Sequence, residues 1–138
     1  MKEKRLNLNS KDLFLYCLTK PGSIEDYPFG PDVIVIKVAS KMFALLSRRN
    51  GQDNLSLKCD PGYSEVLRQE YPSIIPGYHL NKRHWNTLLL DGSIPEREIR
   101  GLIDHSYELV YKSLPRRKRA GYQEIGDFIN GYNARRTH

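Results

Sequence analysis

Val33-Ile34-Val35-Ile36-Lys37-Val38, followed after Ala39-Ser40-Lys41 by Met42-Phe43-Ala44-Leu45-Leu46, decides the fold class. The first run is almost entirely β-branched, and a tight turn separates it from a second apolar run. That arrangement predicts a hairpin and therefore an antiparallel sheet. Downstream, Arg48-Arg49-Asn50-Gly51 reads as a loop. A third strand follows, with Leu55 and Leu57 inward and Ser56 and Lys58 outward, the two-residue alternation of a half-buried strand. Upstream, Tyr27-Pro28-Phe29-Gly30-Pro31 is a turn-rich link. Before it lies a predicted helix over residues 10–19, capped by Asn9, with Asp12 near the positive end of its dipole. Leu13, Phe14, Cys17 and Leu18 form its apolar face, and Pro21-Gly22 ends it.

Asp60-Pro61 starts a second helix, with a carboxylate at the cap and proline where its missing N–H is harmless. Tyr63, Val66, Leu67 and Tyr71 recur at helical spacing before Pro72. Residues 74–80 and 85–90 read as two strands joined by the polar loop Asn81-Lys82-Arg83-His84, with Pro76 suited to an edge or a bulge. Ser93-Ile94-Pro95-Glu96 has the form of a capping box opening a third helix. Its face is Ile99, Leu102, Ile103, Val110 and Leu114, and Pro115 ends it. The predicted order α-β-β-β-α-β-β-α implies an α+β domain with helices packed on one face of a twisted antiparallel sheet. That domain spans residues 1–114, and residues 115–138 form a basic tail. Ile125, Phe128, Ile129 and Tyr132 suggest a short helix within the tail.

A chain of 138 residues suits one domain with a single core. No apolar run approaches the roughly 18 residues of a membrane span, and the basic start Met1-Lys2-Glu3-Lys4-Arg5 lacks the apolar stretch of a signal peptide. The expected compartment is the cytoplasm. Cys17 and Cys59 lie far apart among apolar neighbours and read as reduced core thiols. The net charge of +6 favours polyanions only weakly, so its placement matters more. Five basic residues and no acidic one fall between Lys112 and Arg119, and Arg135-Arg136 lies near the end.

Three segments together resemble the MmcQ/YjbR family. They are Asp26-Tyr27-Pro28-Phe29-Gly30, then Leu57-Lys58-Cys59-Asp60-Pro61, then the long block from Pro76 through Asn81-Lys82-Arg83-His84-Trp85 to Thr87, which continues to Tyr107. His79-Leu80-Asn81-Lys82 with His84-Trp85 is the most specific part. The resemblance implies a frataxin-like (CyaY-like) α+β fold, whose two hairpin regions have been likened to a double-wing DNA-binding arrangement. A fold does not fix a function.

Asn81, Lys82, Arg83, His84 and Trp85 are the foremost candidate site, because two cations, an amide and an aromatic at a hairpin tip offer phosphate contacts and a stacking surface. The alternative is a solvated turn with Trp85 buried at the start of its strand. Arg48 and Arg49 could form a second tip or serve solubility. Arg116, Arg117, Lys118 and Arg119 could clamp phosphates or neutralise the negative end of the third helix.

His79, His84 and His105 lack metal-ligand spacing and read as loop-holding groups. A frataxin-like fold raises iron binding through an acidic ridge on the first helix, but that helix here carries Asp12 against Lys11 and Lys20. No nucleophile elbow, P-loop, dinucleotide fingerprint or zinc-protease motif is present. His105 and Ser106 are adjacent on a helix and so point apart. The sequence therefore predicts a non-enzyme without cofactor or metal, either a monomer or a weak dimer, with DNA as the leading partner. The rival is a module for protein or small ligands, with Tyr78 and the 81–85 loop lining a pocket on the sheet.

Overall fold

The computed structural model describes residues 8–119. In chain order these form α1 (Leu8–Leu18), β1 (Ser23–Asp26), β2 (Val33–Val38), β3 (Lys41–Arg49), β4 (Gln52–Lys58), α2 (Pro61–Glu70), β5 (Ile74–Pro76), β6 (Trp85–Leu89) and α3 (Glu96–Lys112). The strands make one antiparallel sheet in the order β1-β2-β3-β4-β6-β5. The expected succession of helices and strands stands, with one addition. β1 occupies part of the link after Gly22 and pairs Ser23 with Val38 and Asp26 with Val35. Its four residues include two acids and bury no side chain, so backbone pairing at a sheet edge, not periodicity, makes it a strand.

Both tight hairpins use two-residue turns with both central residues at positive φ, the geometry that matches strand twist. Asn50-Gly51 (φ 51 and 78) is the favoured pair, whereas Ala39-Ser40 (φ 49 and 71) adopts the same region with Cβ atoms present. Because the second turn needs only Asn50-Gly51, Arg48 and Arg49 belong to β3 and not to the loop expected there. A bulge in β3 leaves Phe43 between the pairs Ile36↔Ala44 and Lys37↔Met42. Its ring enters the core edge-on to Tyr107, with centroids 5.2 Å apart.

Ile36, Ala44, Leu46, Leu55, Leu57 and Leu88 face the helices and pack with Leu13, Cys17, Leu67, Ile99, Leu102 and Ile103. Ser106, fully buried, fastens α3 to two strands: its Oγ donates to the Phe43 carbonyl (2.5 Å) and accepts the Lys58 N–H (2.9 Å). Both cysteines are free and buried, and burial pushes the Cys17 thiol up to about 12 and the Cys59 thiol upward as well.

Several local expectations change. α1 begins at Leu8, so Asn9 lies inside the helix and not at its cap. α2 does carry the Asp60 cap, its Oδ2 accepting from Tyr63 N at 3.2 Å, but it buries Ser64 and Leu67 while Tyr63 and Val66 stay exposed. Pro95 occupies the cap position of α3, with no side-chain capping bond. Ser93 Oγ instead binds Asp91 (2.6 Å) and Ser73 (2.7 Å), and Glu96 pairs with Arg100, so the capping box does not form. β5 stops at Pro76 on the sheet edge, leaving residues 77–80 as turn. The expected helix over residues 125–132, the pair Arg135-Arg136 and the basic start lie outside the described residues.

Candidate ligand-binding site

Strand alternation sends Val33, Leu45, Ser47, Arg49, Asn54, Ser56 and Thr87 to the face without helices. The connection from β5 to β6 folds across this face. It turns inward at Gly77, where a Cβ would lie 2.7 Å from the Trp85 Cβ and 3.0 Å from the Trp85 carbonyl oxygen. Tyr78 N then donates to Thr87 Oγ1 (3.0 Å), and His79 adopts φ 60. The link from β1 to β2 brings Phe29 and Asp32 to the other side, and a cavity of about 380 Å³ lies between the two loops.

The floor is polar and nearly dry. Asn54, Ser56 and Thr87 are 7%, 8% and 2% exposed, and the two hydroxyls bond each other at 2.8 Å. Asn54 Oδ1 is buried and meets no donor among the described residues. Buried amide oxygens without partners are uncommon and energetically costly, which makes this atom notable. Val33, Leu45, Leu80 and Phe29 supply apolar walls. At the rim the Arg49 guanidinium lies over the Tyr78 ring, 3.6 Å from its centroid, and the Tyr78 and His79 ring centroids are 4.0 Å apart. Arg48 borders the cavity, but its Nε lies 2.8 Å from Oδ1 of buried Asp53, which also accepts from Ser10 at 2.7 Å.

The residues singled out from sequence do not share one surface. Arg48 and Arg49 lie at the Asn50-Gly51 end of the sheet, and residues 81–85 lie at the opposite end, where Lys58 pairs with Trp85. The strand from Gln52 to Lys58 separates these ends by about 20 Å, at the usual rise of about 3.3 Å per residue. Trp85 is only 9% exposed, so its ring offers no stacking platform. Asn81 shapes the loop, its Oδ1 accepting from Arg83 N (3.0 Å) and its carbonyl from His84 N and Trp85 N.

Arg68 on α2 clamps the same loop through the Lys82 carbonyl (2.5 Å), the Trp85 carbonyl (3.3 Å) and Asn86 Oδ1 (2.8 Å). Lys82 and Arg83 are exposed, with Lys82 Nζ 3.3 Å from the Gly77 carbonyl, and His84 is half-buried. Arg116, Arg117 and Lys118 are exposed on a helical turn after Pro115, and Arg119 is half-buried with its carbonyl bonded to Tyr111. α3 starts beside Leu89 and Leu90 and reaches Lys58 through Ser106, which carries this run toward the Lys58–Trp85 end.

The three floor residues escaped the sequence reading. Asn54, Ser56 and Thr87 sit at outward positions of strands, where polar side chains ordinarily meet water. Of the residues expected to act, Arg48, Arg49 and Tyr78 line the cavity, whereas the 81–85 loop expected to line a pocket with Tyr78 does not. The histidines are dispersed: His105 Nε2 accepts the Asp60 N–H (3.2 Å) and packs edge-on to Tyr63, while His79 sits at the cavity rim. Among the described residues no group of three or more His, Cys, Asp or Glu gathers as a metal site, and no helix is long and apolar enough to cross a membrane.

Comparison with known proteins connects this architecture to a family. The YjbR family model matches residues 18–109. The uncharacterized protein YjbR of Escherichia coli K12 is 38% identical over 108 residues, covering 78% of this chain and 92% of its own length. The uncharacterized protein YyaQ of Bacillus subtilis is 34% identical over 117 residues, with 75% and 98% covered. A crystal structure of a Deinococcus radiodurans protein with the domain DUF419 superposes with a TM-score of 0.76 at 42% identity, covering 83% of this chain and 87% of that one. A match of this extent, in sequence and in backbone, places the chain in the YjbR family.

Proposed function

We propose that this YjbR-type domain is a non-enzymatic binding module whose ligand is a small molecule seated in the cavity on the open face of the sheet. The observation that carries the proposal is the 380 Å³ space itself, where apolar walls and the Arg49–Tyr78 rim converge over buried Asn54, Ser56 and Thr87. Ligand sites commonly combine apolar walls with a few convergent polar groups and occupy about 300–1,000 Å³. The lack of catalysis is argued from engaged groups. Ser56 and Thr87 bond each other, with no base among their hydrogen-bond partners, and Ser106 is spent between two strands. In an amide NMR titration against a small-metabolite library, hits should shift Asn54, Ser56, Tyr78 and Thr87. A Leu45→Trp variant, filling the cavity, should abolish them. Hits that shift only residues 81–84 or 116–119, or survive the filling, refute the proposal.

Duplex DNA is the second reading, supported by exposed Lys82, Arg83, Arg116, Arg117 and Lys118 toward one end of the sheet. Arg48 and Arg49 lie at the opposite end. If DNA is bound there, log K falls with log salt at about −0.9 per phosphate contact. Replacing Lys82 and Arg83 together by alanine should flatten that slope, while Arg49→Ala leaves it unchanged. No retention of any duplex at low salt removes this reading.

A further inference from the structure

We infer that the ligand of this cavity is a small organic monoanion, a carboxylate on a compact apolar body, held by Arg49 at the rim. This rests on the cavity reading above and adds the chemical class. Arg48 pairs with Asp53, Arg100 with Glu96, Lys20 with Asp104 and Lys37 with Asp26. Arg68 is used as a clamp on backbone carbonyls. Of the two arginines lining the cavity, Arg49 has no carboxylate partner among the described residues, and its guanidinium lies over the Tyr78 ring. Stacking occupies the π face and leaves the in-plane N–H groups free, the edge that forks a carboxylate. Stacking also fixes the side chain in advance, so less rotamer freedom is lost on binding.

The remaining lining sets the body and the size. Leu45, Val33 and Leu80 present aliphatic surface, and Phe29 and Tyr78 bring aromatic rings from opposed loops. A nucleotide or diphosphate does not suit the site. The volume lies at the small end of the range for ligand pockets, and the carboxylate of Asp32 on the lining disfavours multiply charged anions. A single-ring acid, with one negative charge at the Arg49 rim, matches both the space and the charge.

The test uses the full chain, with cyclohexanecarboxylate and benzoate as acids and benzamide as the neutral isostere of benzoate. NMR titration reads both affinity and location. At least one acid should shift Asn54, Ser56 and Thr87, and benzoate should bind about tenfold tighter than benzamide, as expected of one charge-assisted fork at a partly solvated rim. Arg49→Gln should erase that preference. Leu45→Trp should abolish the binding of acid and amide alike, and Arg83→Gln should change neither. Equal binding of acid and amide overturns the anion class while the cavity reading survives. Acid-induced shifts at residues 81–84 or 116–119 overturn both. If no acid shifts the floor residues at millimolar concentration, the monoanion class fails, and the cavity reading is then decided separately by the wider library and the Leu45→Trp variant.

Discussion

Replacing Asn54 by leucine should stabilise the protein, and the sign of the stability change is the informative part. Asn54 is 7% exposed and its Oδ1 has no donor among the described residues. A buried, unpaired carbonyl penalises the folded state by roughly 1–3 kcal/mol. Leucine removes that penalty, and the adjoining cavity gives its branched end room without overpacking. Against this stands the loss of any bond the amide nitrogen makes, about 1 kcal/mol. The balance is a gain of about 1 kcal/mol, or roughly 4 °C in Tm for a domain of this size.

Urea unfolding followed by the fluorescence of Trp85, which lies buried in the same sheet, provides the measurement, with an unchanged slope required for the comparison to hold. Ser56→Ala is the control. It breaks the 2.8 Å bond to Thr87 and should lower stability by about 1 kcal/mol, showing that apolar substitution on this face is not stabilising in general. If Asn54→Leu instead lowers stability by about 1 kcal/mol or more, the amide is a structural element whose bonds outweigh the unpaired oxygen.

Three further outcomes follow from the geometry. Ser106→Ala strands the Phe43 carbonyl and the Lys58 N–H and should lower unfolding free energy by about 2–4 kcal/mol in urea melts; a loss under about 0.5 kcal/mol contradicts its fastening role. Gly77→Ala places a methyl 2.7 Å from the Trp85 Cβ, so it should lower stability by about 1–3 kcal/mol and shift the amide resonances of Tyr78, Leu80 and Thr87. Hydroxyl bonds from Ser73, and then bonds from Ser93, hold the Asp91 carboxyl down to about 2. Its contribution to stability is therefore complete above the ordinary carboxylate value and fades as pH falls from about 4 through about 2. The difference in urea midpoint between wild type and Asp91→Ala should shrink over that window, and a constant difference speaks against the carboxylate as its source.

What was legible in the sequence followed from local rules. The β-branched run at Val33, the Asp60-Pro61 helix start and the spacing of Ile99, Leu102 and Ile103 each act within one element, and each stands in the structure. Errors arose where a longer-range partner overrode a local preference. Ser93 could cap α3, but Asp91 and Ser73 compete for its hydroxyl and win. Tyr63 and Val66 fit a helical stripe, but α2 sits over Asn86 and turns Ser64 inward to bond it at 3.2 Å. Outward positions on β4 look solvated until a loop from beyond β5 covers them. No pattern within Gln52–Lys58 could announce that cover.

The most specific stretch of the chain carries a lesson about what such a motif encodes. By sequence, His79 to Trp85 reads as a hairpin tip presenting cations to a polyanion. In the folded chain the same residues mainly determine a path. Gly77 permits close approach to Trp85, His79 takes a left-handed conformation, Asn81 folds the turn on its own side chain, and Arg68 ties the result to α2. That path lays Tyr78 and Leu80 over Asn54, Ser56 and Thr87, and it sets Tyr78 under the Arg49 guanidinium. A loop built so tightly to cover a polar floor is explained poorly by phosphate contacts, which need only exposed charge on a compliant surface. It is explained well by a lid whose underside must be held in shape, because a pre-formed pocket spares its ligand the entropy of ordering the walls.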